Sequence, residues 1–210
     1  LSGWTPAGRL LFTTRRSWQQ AEWDDEIYRV PATGGTPDRL LDAFGSEPVM
    51  SPDGRFIALV RGANRTSKKG YDGPANKNVW IYDTENDAYT QITSFDVNDY
   101  HPRWGGDRTL YFISEQDGTY NLYRQPVTDQ GAGSGSPEQV TTYDEDGVRY
   151  FTVSQDGRTI AFERQTNVYV HDVASGTTET LDVTVPADYR FDPVEQQTFT
   201  SNLEDYAVSP

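Results

Sequence analysis

One pattern constrains this chain more than any other: it repeats itself four times. The stretches AGRLLFTT, DGRFIALV, GDRTLYFI and DGRTIAFE begin their apolar runs after Arg9, Arg55, Arg108 and Arg158. A second phrase follows each, EIYRVPATGG, NVWIYDTEND, NLYRQPVTDQ and NVYVHDVASG, entered at Glu26, Asn78, Asn121 and Asn167. The repeated arginines lie 46, 53 and 50 residues apart. A unit of this size cannot bury its own apolar faces. Units stacked side by side bury each other's, which is the architecture of a β-propeller. The expected fold is therefore all-β, a β-propeller fragment with about four blades of four antiparallel strands. It occupies a single partial domain over residues 1–210, with repeats starting near 9, 55, 108 and 158.

Within each unit the first strand is the run after the repeated arginine, with Leu11, Ile57, Leu110 and Ile160 equivalent. The run FIALV has no polar alternation, as expected of a strand covered on both faces. The second strand carries Tyr28, Trp80, Tyr123 and Tyr169 at one position. The third is short, and the fourth (EPVM, YHPRW) runs into the turn before the next arginine. Ser51-Pro52-Asp53-Gly54 and Ser154-Gln155-Asp156-Gly157 carry tight-turn chemistry: a hydroxyl and a carboxylate that bond back to the backbone, then a glycine for a positive φ.

Strand parity places the loops. Those after the first and third strands emerge on one face of the disc, and the long irregular segments are mostly of that kind. They are Arg15 to Asp25, Arg61 to Lys77, Ser94 to Tyr100, Tyr143 to Arg149, and a tract from about Thr184 to Asp205. The opposite face has tight turns, except for Thr128 to Pro137, whose Gly and Ser content predicts a mobile loop. Functional residues concentrate on such elaborated loops.

The elaborated face also holds unusual charge. The chain's formal net charge is −14, yet all its lysines, Lys68, Lys69 and Lys77, fall in the second insertion beside Arg61 and Arg65. The first insertion adds Arg15, Arg16, Trp18 and Trp23. These nine residues are the candidate binding set: cations and aromatics suited to carboxylates, for instance the acidic end of a peptide. Internal pairing with the acidic tract containing Asp188, Asp192, Glu195, Glu204 and Asp205 is the competing reading. The partners expected on this face are peptides or a protein, together with the remaining domains of the same polypeptide.

Other classes are disfavoured. A net charge of −14 argues against a general nucleic-acid binder, and no apolar run approaches the ~20 residues that span a membrane. With no cysteine, only His101 and His171, and no HExxH, neither a metal site nor a cofactor is expected. No G-x-S-x-G elbow is present, so no catalytic residue is assigned in this chain. Asp144-Glu145-Asp146-Gly147 lacks the full calcium-loop pattern and reads as an ordinary acidic loop. Asn64-Arg65-Thr66 fits a glycosylation sequon. Arg outnumbers Lys by fifteen to three, which suits either a protein of high-salt surroundings or an ordinary acidic one, soluble in cytoplasm or periplasm. The start at Leu1 and the end at Ser209-Pro210, half of a further SPDG turn, suggest a piece of a longer polypeptide.

WTPAGRLLF, SPDGRFIALV and SQDGRTIAFE, each followed by an IYRVPATGG or NVWIYD strand, resemble the TolB-type, WD-like propeller repeat. GPANKNVWIYD (Gly73 to Asp83) and VPADYRFDPVEQQTFTSNLEDYAVSP (Val185 to Pro210) are similar to the first propeller of tricorn-type serine peptidases. That resemblance implies a six-bladed propeller followed by a second propeller, a PDZ-like module and a catalytic domain related to the tail-specific proteases. Only four repeats are visible here, and no family catalytic motif has a matching position. The function it implies is a non-catalytic domain that admits or filters peptides for a downstream serine nucleophile. The alternatives are a stand-alone TolB-like protein-binding propeller, or the propeller of a prolyl-oligopeptidase-type hydrolase.

Overall fold

The computed structural model describes residues 2–15, 25–106 and 108–184. Their sixteen strands form four antiparallel sheets of four strands, each sheet one blade. Blade 1 contains β1 (Gly3–Trp4), β2 (Arg9–Thr14), β3 (Glu26–Pro31) and β4 (Asp38–Phe44). Blade 2 contains β5 (Ser46–Met50), β6 (Phe56–Arg61), β7 (Asn78–Asp83) and β8 (Ala88–Gln91). Blade 3 contains β9 (Asp99–Trp104), β10 (Thr109–Ser114), β11 (Asn121–Pro126) and β12 (Glu138–Gln139). Blade 4 contains β13 (Tyr150–Val153), β14 (Thr159–Arg164), β15 (Asn167–Asp172) and β16 (Thr178–Leu181).

The blade and the sequence repeat are offset by one strand. The segment that reads as the fourth strand of a unit pairs with the following arginine run, so EPVM lies in the sheet of FIALV. These strands, β1, β5, β9 and β13, form the inner edge of their sheets, and each meets the next across a blade boundary.

The apolar pattern explains the packing. In β6, Phe56, Ile57, Ala58, Leu59 and Val60 are all inaccessible to solvent, because alternate residues face different neighbours. Ile57 and Leu59 pack with Ile27 and Leu41 of blade 1, whereas Phe56 and Ala58 pack with Leu110 and Phe112 of blade 3. Blade 3 is closed in turn by Phe151, Ile160 and Phe162 of blade 4. Phe12 on Tyr28, Phe112 on Tyr123 and Phe162 on Tyr169 stack across equivalent strand pairs at 6.0, 6.1 and 5.2 Å.

One expected equivalence is displaced. Leu11 takes the place of Ala58 rather than of Ile57, since Leu11 pairs with Gly3 and Ala58 with Val49. The cause is turn length: the turn closed by Thr5 N donating to Arg9 O is one residue shorter than that closed by Ser51 N donating to Phe56 O.

The turns between inner and second strands match the chemistry their residues predict. In blades 2 and 4 the Ser51 and Ser154 hydroxyls donate to Asp53 and Asp156, whose carboxylates accept from Arg55 N and Arg158 N. Two of the repeated arginines then bind within and across blades. Arg55 forks onto Asp83, and Arg108 bridges Asp129 of its own blade and Asp53 of blade 2. The Thr128–Pro137 segment is held rather than loose: Val127 bridges Gly133, Gln125 Nε2 donates to Gly135 O, and Gly131 lies against the Phe56 ring. A Cβ on Gly131 would approach that ring to 2.9 Å, so the glycine there serves close packing.

This interlock predicts that Phe112→Ala, at a wholly buried position shared by two blades, lowers unfolding free energy by about 3–5 kcal/mol in urea titration. Thr180→Ala, on the exposed edge strand β16, stays within about 0.5 kcal/mol.

Candidate functional site

The insertion between β6 and β7 dominates the loop-bearing face. Its ends close at Gly62, whose φ is +120° and where a Cβ would fall 1.9 Å from Asn76 O. No side chain fits that approach. Asn64 N donates to Ala75 O at 2.8 Å and completes the neck.

Beyond the neck the insertion is bolted to blade 3 by buried polar groups. The Asn98 amide donates to Glu115 Oε1 at 2.7 Å and to Lys68 O at 3.2 Å, and its oxygen accepts from Asn64 Nδ2 at 2.9 Å. Glu115 also accepts from Asn98 N at 3.0 Å and from Gly70 N at 3.1 Å, while Tyr120 OH donates to Thr66 O at 2.7 Å. Asn98, Glu115 and Asn64 are 0, 2 and 7% exposed. Hydrogen bonds to a charged group contribute about 1.5–3 kcal/mol each, so the Glu115 carboxylate fixes the loop's course. Asn64 is consumed in this network, which closes the sequon to modification.

Beneath the network lies Asp99, wholly buried, with neither carboxyl oxygen in a well-formed hydrogen bond. Burial pushes its carboxyl up to about 7, the Ser114 and Thr93 hydroxyls oppose this, and the Glu115 charge adds to it.

Two clefts open on this face. The larger, of about 1180 Å³, gathers Arg15, Arg61, Arg65 and Lys77 with Asp25, Glu47 and Trp80 along its walls. Arg15 Nε bonds Asp25 at 3.1 Å, and the Arg61 guanidinium lies 5.0 Å from the Trp80 ring centre. Among the described residues, Arg61, Arg65 and Lys77 form no salt bridge. The smaller cleft, of about 450 Å³, lies where blades 3 and 4 meet the insertion and is walled by Lys69, Tyr100, Tyr120, Asp146, Arg149 and Tyr150. Lys69 Nζ sits 5.7 Å above the Tyr120 ring, and Lys68 Nζ 5.6 Å above that of Tyr71.

The six candidates among the described residues are divided rather than gathered in one patch. Arg15, Arg61, Arg65 and Lys77 share the larger cleft, Lys69 lines the smaller, and Lys68 lies over Tyr71. Arg16, Trp18 and Trp23 lie outside the described residues, as does the acidic tract from Asp188 to Asp205. Sequence reasoning missed Trp80 as a cleft residue, because its strand position matches the buried Tyr123. It also missed Glu47, Arg149 and Tyr150. Position on the elaborated face was the available signal for Arg149, while the Asn98–Glu115 bond joins residues with no periodic relation.

Among the described residues no three of His, Cys, Asp and Glu gather as metal ligands. His101 Nε2 faces Phe151 O and His171 Nδ1 faces Thr178 Oγ1, so each imidazole joins strands. What this face presents, among the described residues, is cations and aromatic rings along two clefts.

The family model for the tricorn protease N-terminal beta propeller domain matches residues 1–177. The tricorn protease homolog of Saccharolobus solfataricus is 25% identical over 189 residues, which is 90% of this chain and 17% of that protein. The crystal structure of the tricorn protease superposes with a TM-score of 0.71 at 21% identity, covering 90% of this chain and 18% of that one. TolB from Acinetobacter baumannii superposes with a TM-score of 0.63 at 20% identity, covering 85% and 42%. The structural likenesses show the fold, and the chain spans under a fifth of either tricorn protein.

The buried carboxyl of Asp99 yields a prediction. Its folded-state pKa, about 7, stands above the ordinary value of 3.8, so the native state holds a proton that the unfolded chain releases. The domain therefore loses stability as pH rises from about 4 to about 7. Asp99→Asn should raise the denaturation midpoint at pH ~8, by a few kcal/mol in stability, and change little at pH ~4. Equal shifts at both values would show that Asp99 is not the titrating group.

Proposed function

Because this chain belongs to the tricorn protease N-terminal β-propeller family, we propose that it is a non-catalytic propeller of a serine peptidase, admitting or filtering peptides for a catalytic domain elsewhere in the polypeptide. The observation that carries this reading is the larger cleft. Arg61, Arg65 and Lys77, without salt-bridge partners among the described residues, surround the half-buried Trp80 on a chain of formal net charge −14. Such a protein repels acidic peptides over most of its surface, so a local cationic cleft concentrates them at one place. Guanidinium groups fork onto carboxylates, and the Trp80 ring under the Arg61 guanidinium holds that group at the cleft wall. The insertion that carries two of these cations is fixed by Glu115, so little ordering entropy is lost when a peptide binds.

The reading is tested by fluorescence anisotropy with a labelled acidic peptide and a basic peptide of equal length. The acidic peptide binds more tightly. Replacing Arg61, Arg65 and Lys77 together by Ser weakens it roughly tenfold at low ionic strength and flattens the salt dependence, with the far-ultraviolet circular dichroism unchanged. Acidic-peptide binding that ignores both the triple substitution and added salt contradicts the proposal.

A further inference from the structure

The inner strands carry a second arrangement, independent of the peptide reading. Glu47 on β5 and His101 on β9 both have positive φ, 54° and 58°, and both precede a proline, Pro48 and Pro102. A non-glycine residue in that region is uncommon, and the following proline restricts it further. Each sits at a register shift of its inner strand, between Ser46 and Val49 in β5 and opposite Tyr111 to Ile113 in β9. These two irregularities turn the side chains toward each other across the boundary between blades 2 and 3.

His101 Nδ1 lies 3.5 Å from Glu47 Oε2, and His101 Nε2 lies 3.1 Å from Phe151 O on blade 4. The ring meets Tyr150 and Phe151 edge-on at 5.6 and 5.4 Å. Glu47 Oε2 is buried and has no hydrogen-bond partner, so the His101 ring nitrogen 3.5 Å away is the cation that faces it. A carboxylate and a carbonyl are both acceptors. A neutral imidazole has one N–H and leaves its other nitrogen's lone pair facing an oxygen, whereas an imidazolium satisfies both.

We propose that His101 is a protonation-controlled clasp across three blades: as imidazolium it ties the Glu47 carboxylate of blade 2 to the Phe151 carbonyl of blade 4, and as neutral imidazole it releases one of them. Burial raises the Glu47 carboxyl, but the His101 hydrogen bond and then the Lys77 and His101 charges outweigh it and hold the group below its ordinary value. The charged and titratable groups around the clasp are Glu47 of β5, Lys77 before β7, Asp99, Tyr100 and Arg103 of β9, Glu115 after β10, and Tyr150 of β13. The clasp stands between the two clefts, since Glu47 lines the larger and Tyr150 the smaller. Its contribution is present while Glu47 is ionised and the imidazole carries two protons. It is lost when the imidazole gives up one of those protons, and again in acid when Glu47 takes one.

The test is a double-mutant cycle of Glu47→Gln, His101→Gln and the pair, read as melting temperature at about pH 5.5 and about pH 8.5, which span the range over which imidazoles in general change charge. At the lower pH the paired variant loses less than the sum of the single losses by about 2–4 °C, and at the higher pH the losses add. Asp99 titrates in all four proteins, so its effect cancels. Additivity at both values, or equal coupling at both, overturns the proposal. Nitrogen-15 spectra of the unmodified protein's two histidines decide the matter if a variant fails to fold. Two protonated ring nitrogens on His101 at the lower pH support the clasp, and one bare nitrogen there refutes it.

Discussion

Everything in this structure depends on strands that have no solvated face. The five residues Phe56 to Val60 of β6 are wholly buried, and every residue of β10 is buried. Such sheets cannot stand alone, because one face or the other would carry a row of Leu, Ile and Phe into water at roughly 1.5–3 kcal/mol each. Each middle blade is therefore the interior of its neighbours. Once blades must lie face to face, the inner strands meet around the axis and the odd-numbered connections all emerge on one side. The elaborated face follows from burial rather than from any property of its loops.

What turns that face into a site is the buried polar layer just beneath it. Asn98 and Glu115 have no exposed surface worth noting, yet their hydrogen bonds run outward into the insertion, to Asn64, Lys68 and Gly70. The loop is thus positioned from below, with Arg61, Arg65 and Lys77 on the cleft walls. Charge density that would be dispersed on a wandering loop is held at one place. The cost is the uncompensated carboxyl of Asp99 beside the network, a local loss that the surrounding packing outweighs.

Much of the fold was legible in the sequence because it is periodic. The Arg-to-apolar phrase, the aromatic at Tyr28, Trp80, Tyr123 and Tyr169, and the Ser-x-Asp-Gly turns each recur with a physical reason, and all appear in the strands and turns they imply. The phase of the blade was not legible: whether EPVM pairs backward or forward depends on which sheet needs an inner edge. Leu11 was misplaced because one residue fewer in a turn shifts the register without changing the repeated phrase. The Gly-Ser composition of Thr128–Pro137 suggested mobility, yet its glycines permit close contact with Phe56 and Gln125. In the site, the cations were readable as a charge anomaly. Their division between two clefts was not, and neither was the Asn98–Glu115 layer, because pairing between loops of different blades leaves no period to read.

The face is built in advance by the polar layer beneath it. Amide hydrogen exchange on the unliganded protein measures this most directly, because the amides of Gly70 and Asn98 both donate to the Glu115 carboxylate. Both should exchange nearly as slowly as the amides of β6 and β10, and Glu115→Gln should speed both while leaving those strands protected. Exchange of Gly70 and Asn98 at the rate of an open loop in the unmodified protein would contradict it.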